Sequence, residues 1–164
     1  MTLAIVSSNM MITMVTLEEI SRDNIHAVLA LDVSDEQRRF YPCSNAVSIA
    51  EGHFPPDDDP VWMRAICKDG TPVGFLMTSE QPSNGAYFIW RMMIDRNHQG
   101  SGYGGEAMRL LIQRIKSTDN PNVLLLSHLK DNVHAAGFYR SFGFEYTGND
   151  LGGGDLEMAL HFFD

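Results

Sequence analysis

A chain of 164 residues with 44% hydrophobic content has the length of one domain and enough apolar residues to bury a sizeable core. A formal net charge of −9 argues against a nucleic-acid-binding face and favours cationic small partners through steering, although plain solubility explains such a charge equally well. No apolar run approaches the roughly 20 residues that span a bilayer, Met1 to Val6 lacks the basic start of a secretory leader, and Cys43 and Cys67 lack metal-ligand spacing, so a cytoplasmic protein with two reduced thiols and no metal is expected.

Residues 11–17, rich in β-branched and apolar types, predict a first strand. Ser21 is placed to cap a helix near 22–32 that carries Ile25, Val28, Leu29 and Leu31. The polar segment Ser34 to Phe40 leads through Pro42 to a second short helix, beginning at Ser44 or Asn45 and carrying Glu51 near its end, with Gly52 and Pro55-Pro56 to stop it. Asp57-Asp58-Asp59-Pro60 reads as a solvated loop or, at a cleft rim, as an attractor of polycations. Strands at about 61–68 and 72–78 meet at Asp69-Gly70, a strong hairpin signal. The turn Pro82 to Gly85 leads into a strand over 86–94, and connections this short make the three strands antiparallel.

Strand 86–94 then breaks into Gln99-Gly100-Ser101-Gly102-Tyr103-Gly104-Gly105, which opens a helix with the apolar stripe Ala107, Met108, Leu111, Ile112 and Ile115. Val123 to Leu129 follows as a continuous apolar strand, and arrival through a helical crossover makes it parallel to 86–94. A further helix starts at Asp131 or Asn132 and closes at Gly143, and strands near 144–147 and 156–162 flank Gly152-Gly153-Gly154. The expected architecture is a mixed α/β domain: an antiparallel sheet extended by a parallel strand, with helices on both faces.

Four glycines in seven residues allow positive φ and remove the Cβ atoms that would hold a ligand away. At a helix start the freed N–H groups add to the positive end of the helix dipole and suit phosphate or pyrophosphate. A P-loop is excluded, because Glu106 and Ala107 follow where Lys and Ser/Thr are needed. Gly100, Gly102 and Gly105 satisfy the Gly-x-Gly-x-x-Gly spacing of a dinucleotide turn. Gln99, Gly102 and Gly104 satisfy Gln/Arg-x-x-Gly-x-Gly/Ala, and a helix that merely begins at a glycine turn is the bland alternative.

Asn132 and Tyr139, seven residues apart, lie within about 20° of one another on a helix and roughly 10 Å apart along it. A phenol with an ordinary pKa near 10 is protonated at neutral pH and can supply the proton that a departing thiolate needs. A structural tyrosine whose hydroxyl caps a loop fits the same spacing.

Gln99 to Gly104, preceded by Met92-Met93-Ile94-Asp95, closely resembles the acetyl-CoA signature of the GNAT superfamily of N-acetyltransferases. Asp131 to Phe144 resembles that family's second motif, in which an Asn contacts the pantetheine arm and a following Tyr is the general acid. The resemblance covers about Met11 to Phe162 and implies an N-terminal extension over 1–10 and a single N-acetyltransferase domain over 11–164. It also implies acetyl-CoA as co-substrate, held by backbone groups of Met92, Met93 and Ile94, by the turn Gln99, Gly100, Ser101, Gly102, Tyr103, Gly104 and Gly105, and by Asn132, with Tyr139 catalytic.

Gln37, Phe40, Asn45 to Ala50, Arg91 to Asp95, Thr147-Gly148 and Gly152-Gly153 are most similar to bacterial spermine/spermidine (diamine) acetyltransferases. That likeness implies a polyamine or diamine substrate, Glu51 beside the acceptor cleft, and a homodimer. Another small amine, an aminoglycoside or a protein amine is an alternative substrate, and an acetyl-CoA-binding sensor with little turnover is a reading from another class. Strand 86–90 carries no carboxylate, where many members place a general base. An alkylammonium of pKa near 10.4 costs about 4–5 kcal/mol to deprotonate at pH 7, and ordered water or Glu51 is left to take that proton.

Overall fold

Asp69 and Gly70 adopt left-handed backbone angles, φ 48° and 79°, and this two-residue turn fixes the register of the central hairpin. The computed structural model describes residues 14–55, 58–81 and 83–162. Residues 1–10, the beginning of the strand expected over 11–17, and Asp57 of the acidic run lie outside them.

The elements in chain order are β1 (Val15–Glu18), α1 (Ile25–Ala30), α2 (Asn45–Gly52), β2 (Val61–Lys68), β3 (Thr71–Gln81), β4 (Ala86–Ile94), α3 (Tyr103–Lys116), β5 (Val123–Leu129), α4 (Val133–Arg140), β6 (Glu145–Asp150) and β7 (Asp155–His161). They build a seven-stranded sheet of order β1-β2-β3-β4-β5-β7-β6. β4 and β5 are parallel, and every other neighbouring pair is antiparallel. Among the described residues no helix is long and apolar enough to cross a membrane.

Several expectations shift at the edges: β6 runs on to Asp150 and α4 stops at Arg140. α1 begins only at Ile25, after a turn built by Ser21 and Asn24 together: Ser21 Oγ accepts from the Asp23 N–H at 3.3 Å, while Asn24 Oδ1 accepts from the Ser21 N–H and its Nδ2 donates to the Glu19 carbonyl, both at 2.8 Å. The helix ends early because Leu31 turns extended, with ψ 139°. β3 runs three residues past its expected end, since Ser79, Glu80 and Gln81 keep pairing with Phe88, Tyr87 and Ala86. Arg114 of α3 also grips the Glu80 carboxylate at 2.7 and 3.2 Å.

The core lies on both sides of the sheet. α3 buries Ala107, Met108, Leu111 and Ile115 with Ile66, Leu76, Leu124, Leu126 and Met158. On the opposite face α1 and α2 cover Ala65, Cys67, Phe75, Met77 and Met93, with Trp90 and Tyr41 packed at the margin. Gly74 of β3 leaves no room for a side chain: a Cβ there would run into the Met93 carbonyl oxygen and come within 2.8 Å of Ile94 Cδ1. Overpacking of this kind costs about 2 kcal/mol, so Gly74→Ala should lower the melting temperature by roughly 4–8 °C. A melting temperature within 1 °C of the parent, read by circular dichroism, would contradict that packing.

Candidate functional site

The site begins as a parting of strands. β4 pairs with β5 only from Ala86 to Ile89, opposite Val123 to Leu126, although β4 continues to Ile94 and β5 to Leu129. Beyond that point β5 stays with β7 through Leu129 and β4 stays with β3 through Ile94. One edge of Trp90 to Ile94 is thereby left without a strand partner. A register shift at Met77/Thr78 makes Trp90 a bulge, and bulges locally re-aim backbone and side chains. Into this wedge opens a cleft of about 1120 Å³, lined on the β4 and α3 side by Ile89 to Ile94, Gln99 and Gly104. Ser127 to Leu129, Asn132, Phe138 and Tyr139 line the other side.

At the α3 end of the cleft the glycine turn has the conformation its composition requires. Gly100 and Gly102 hold φ at 75° and 82°, and Gly102 is the residue from which α3 starts. A Cβ on either would meet nothing in the protein, so the space in front of the turn is free. The N–H groups of the first helical turn have no intrahelical acceptor. A Cβ at Gly104 would lie 3.5 Å from Ile94 and 3.8 Å from the Phe138 ring, in ordinary contact with both. Tyr103 packs on the core, Ser101 is exposed, and Gly105 faces Phe142 in the first turn. These features fit an extended pyrophosphate-bearing group.

Gln99 braces the turn from within: its Nε2 donates to the Ile94 carbonyl at 2.9 Å and to Gln37 Oε1 at 2.7 Å. Its amide nitrogen therefore ties the turn to β4 and to the segment before α2. Asp95 anchors the same corner, accepting from the Asp32 N–H at 2.9 Å and from both nitrogens of Asn97. Burial pushes this carboxyl up, but the donated hydrogen bonds outweigh it and hold Asp95 below the ordinary carboxylate range. Met93 is buried in the core, which leaves only its backbone to meet a ligand.

α4 brings the second pair of expected residues to the cleft. Asn132 caps the helix, its Oδ1 accepting from the Ala135 N–H at 3.2 Å. Tyr139 packs edge-on against Phe138 and Phe144, with ring centroids 5.2 and 5.7 Å away. Its hydroxyl has no hydrogen-bond partner among the described residues, and none of their fully buried polar atoms lacks one. The Tyr139 oxygen is therefore accessible from the cleft. Burial of its surroundings pushes the phenol up to about 12, so it is protonated throughout the neutral range.

Glu51 stands one residue back from the cleft, against Arg91 of its lining. It is not among the residues lining the cleft. Its carboxylate lies 3.2 Å from the Arg91 guanidinium, which also donates to the Trp90 carbonyl at 2.8 Å. Of the histidines, His98 lies at the loop beside Asp95 and His134 is exposed on α4. His128 is buried with its ring nitrogens against the Leu129 carbonyl (2.8 Å) and the Tyr146 hydroxyl (3.0 Å).

Sequence reasoning missed two contributors. Tyr41 lines the cleft opposite α4, 3.5 Å from Asn45 Oδ1 and pushed up to about 12 by burial. The aromatic pair Phe40-Tyr41 inside a polar segment was the available signal. Asp155 enters from β7 with Ser127 donating to its Oδ2 at 2.8 Å, a placement that local sequence does not encode.

The arrangement can seat a thioester's extended arm between parted strands, hold its phosphates at a helix start, and present a protonated phenol inside. Known proteins share this architecture. The chain is 29% identical over 142 residues to the spermine/spermidine N(1)-acetyltransferase of Bacillus subtilis strain 168, an alignment covering 82% of this chain and 90% of that one. It superposes on Vibrio cholerae spermidine N-acetyltransferase in complex with CoA and spermine, with a TM-score of 0.70, 14% identity and coverage of 90% and 95%. The Thermoplasma acidophilum PaiA N-acetyltransferase in complex with coenzyme A gives a TM-score of 0.68 at 12% identity, covering 91% and 99%. The model of the acetyltransferase (GNAT) family matches residues 18–144. With that match over most of its length, the chain belongs to the acetyltransferase (GNAT) family and to its enzyme class, the acetyl-CoA-dependent N-acetyltransferases.

Proposed function

We propose that this enzyme transfers the acetyl group of acetyl-CoA directly to a primary amine of a polyamine or diamine such as spermidine or spermine. The observation that carries the reading is the parting of β4 from β5 with the glycine turn at one end and the Tyr139 hydroxyl inside the cleft. Supporting the substrate class are the resemblance to spermine/spermidine acetyltransferases, the net charge of −9 and the aromatic lining by Phe40, Tyr41 and Trp90, which suits alkylammonium chains.

In this reading the free edge of Met92 to Ile94 bonds the pantetheine amides, and N–H groups from Gly100 to Gly105 hold the pyrophosphate. Gln99 keeps the turn in register with β4, and Ser101 and Tyr103 frame it. The Asn132 Nδ2, left over once Oδ1 caps α4, donates to the arm, and Tyr139 donates its proton where the sulfur departs. A neutral amine attacks the carbonyl carbon, the C–N bond forms as the C–S bond breaks, and the ammonium proton leaves through ordered water, from which the Tyr139 phenolate regains the proton it gave to the sulfur.

Glu51 acts on the amine through Arg91. Its removal frees a guanidinium that lines the cleft and that repels a cationic acceptor. Glu51→Gln should therefore raise the Michaelis constant for spermidine about threefold or more while that for acetyl-CoA stays within twofold. Equal effects on both constants would reduce Glu51 to a helix-end residue.

The substrate class is tested by incubating the enzyme and acetyl-CoA with spermidine, an aminoglycoside and a lysine peptide at equal concentration and weighing the products by mass spectrometry. Spermidine should be acetylated first and most completely. Preferential acetylation of the aminoglycoside or the peptide would replace the polyamine reading.

A further inference from the structure

Asp155 opens β7 on the sheet face that α1 and α2 share, not the face under α3. The register decides this. Leu129 pairs with Asp155 and Ser127 with Glu157, so Ser127, Leu129 and Asp155 point to one side. The alternate residues Leu124, Leu126 and Met158 are those buried with α3. Asp155 thus faces the same side as Trp90, which packs in the cluster beneath α1 and α2.

The carboxylate is held but not neutralised. Ser127 Oγ donates to its Oδ2 at 2.8 Å, which leaves Oδ1 for a ligand. Among the described residues no ion pair takes Asp155, whereas Arg38 holds Asp32, Arg91 holds Glu51 and Arg114 holds Glu80. Of the cations in the cleft lining, Arg39 lies over the Phe40 ring at 4.3 Å and Arg91 pairs with Glu51, and Lys130, whose stem runs along Gly154, makes no ion pair with Asp155. Both nitrogens of the neighbouring His128 are committed to Leu129 and Tyr146. A fixed carboxylate with no ion-pair partner among the described residues, in a cleft also lined by Phe40, Tyr41 and Trp90, suits a cation.

We propose that Asp155, oriented by Ser127, binds a protonated nitrogen of the acceptor other than the one that is acetylated, and so sets a preference for amines carrying a second charge. The reacting nitrogen must be neutral to attack, and a carboxylate paired with it would hold its proton on. The next nitrogen along a polyamine keeps its charge at neutral pH, with an alkylammonium pKa near 10.4. Asp155 therefore positions the chain without taking part in proton transfer.

This assignment rests on the polyamine reading, and kinetics on two acceptors separate the two claims. Spermidine and propylamine are compared in wild type and Asp155→Asn, with acetyl-CoA as donor. A carboxylate holding a cation binds it far better than a neutral amide can, so Asp155→Asn should raise the Michaelis constant for spermidine by at least tenfold. That for acetyl-CoA should stay within twofold, and the preference for spermidine over propylamine should fall by the same tenfold. An unchanged preference in the variant of a polyamine-selective enzyme overturns the Asp155 assignment alone, whereas a parent that prefers propylamine removes the polyamine reading and this inference with it. Should Asp155→Asn fail to fold, Ser127→Ala keeps the charge and releases its orientation. It should raise the spermidine constant about threefold with acetyl-CoA unmoved, and no change there also overturns the assignment.

Discussion

Tyr139→Phe is expected to lower the turnover number by about 10²–10⁴-fold, the usual worth of a general acid, while acetyl-CoA affinity changes only a few-fold. The substitution removes a hydroxyl that no described residue bonds and keeps the ring that packs on Phe138 and Phe144, so the fold should survive. A phenol at about 12 is a weaker acid than a thiol near 8.5. As the proposed acid, Tyr139 would gain most by donating to developing negative charge in the transition state, which favours the lower end of that range.

The same upward shift has a pH signature. Because the folded state holds the proton more tightly than an ordinary tyrosine near 10, the stability it contributes is complete below pH 10 and is lost as pH rises through about 12. Activity should keep climbing as the amine deprotonates toward pH 10, with no loss from Tyr139 ionisation there. Single-turnover acetyl transfer excludes slow product release as a disguise, and a rate for the Phe variant within threefold of wild type would remove Tyr139 from the chemistry.

Gly102→Val should weaken acetyl-CoA binding by at least tenfold, equivalent to about 1.4 kcal/mol. Gly102 sits at φ 82° where α3 begins, a conformation that costs an L-residue roughly 1–2 kcal/mol. The added side chain meets nothing within the protein and projects into the space assigned to the pyrophosphate. Gly70→Val separates strain from obstruction: Gly70 has φ 79°, an equally open Cβ position and a place in the β2–β3 hairpin outside the cleft. Both variants should lose similar stability, and only Gly102→Val should lose cofactor affinity by calorimetry. Equal affinity in the two would mean that the turn does not hold the phosphates.

What local sequence could show, it showed well. The apolar runs over 86–94 and 123–129 became β4 and β5 with those limits, and the crossover helix made them parallel. The helix stripe from Ala107 to Ile115 lies on the sheet as its spacing requires. The glycine turn has the left-handed angles that its composition allows.

Long-range placement was harder to read. Glu51 has an acid's chemistry at a helix end, but its partner Arg91 lies forty residues away beside the bulged Trp90, a feature with no local signature. Gln99 is part of the cofactor motif, yet its nitrogen braces Ile94 and Gln37, because a glycine-rich turn needs a side chain to hold it. Asp155 reaches the cleft through the β5–β7 register, which sets it opposite Leu129 and on the same side as Ser127, across a helix and a hairpin in sequence. Such positions are set by tertiary pairing, and no periodicity within one segment carries them.

Direct transfer from acetyl-CoA to a polyamine is tested most directly by following free thiol with time when wild-type protein is mixed with acetyl-CoA, with and without spermidine. Thiol should appear in proportion to acetylated spermidine, at a turnover of roughly 1–10³ per second, and only slowly without the amine. A protein that binds acetyl-CoA yet releases no thiol with spermidine, spermine or any other amine would be a cofactor sensor, and direct acetyl transfer would be ruled out as its function.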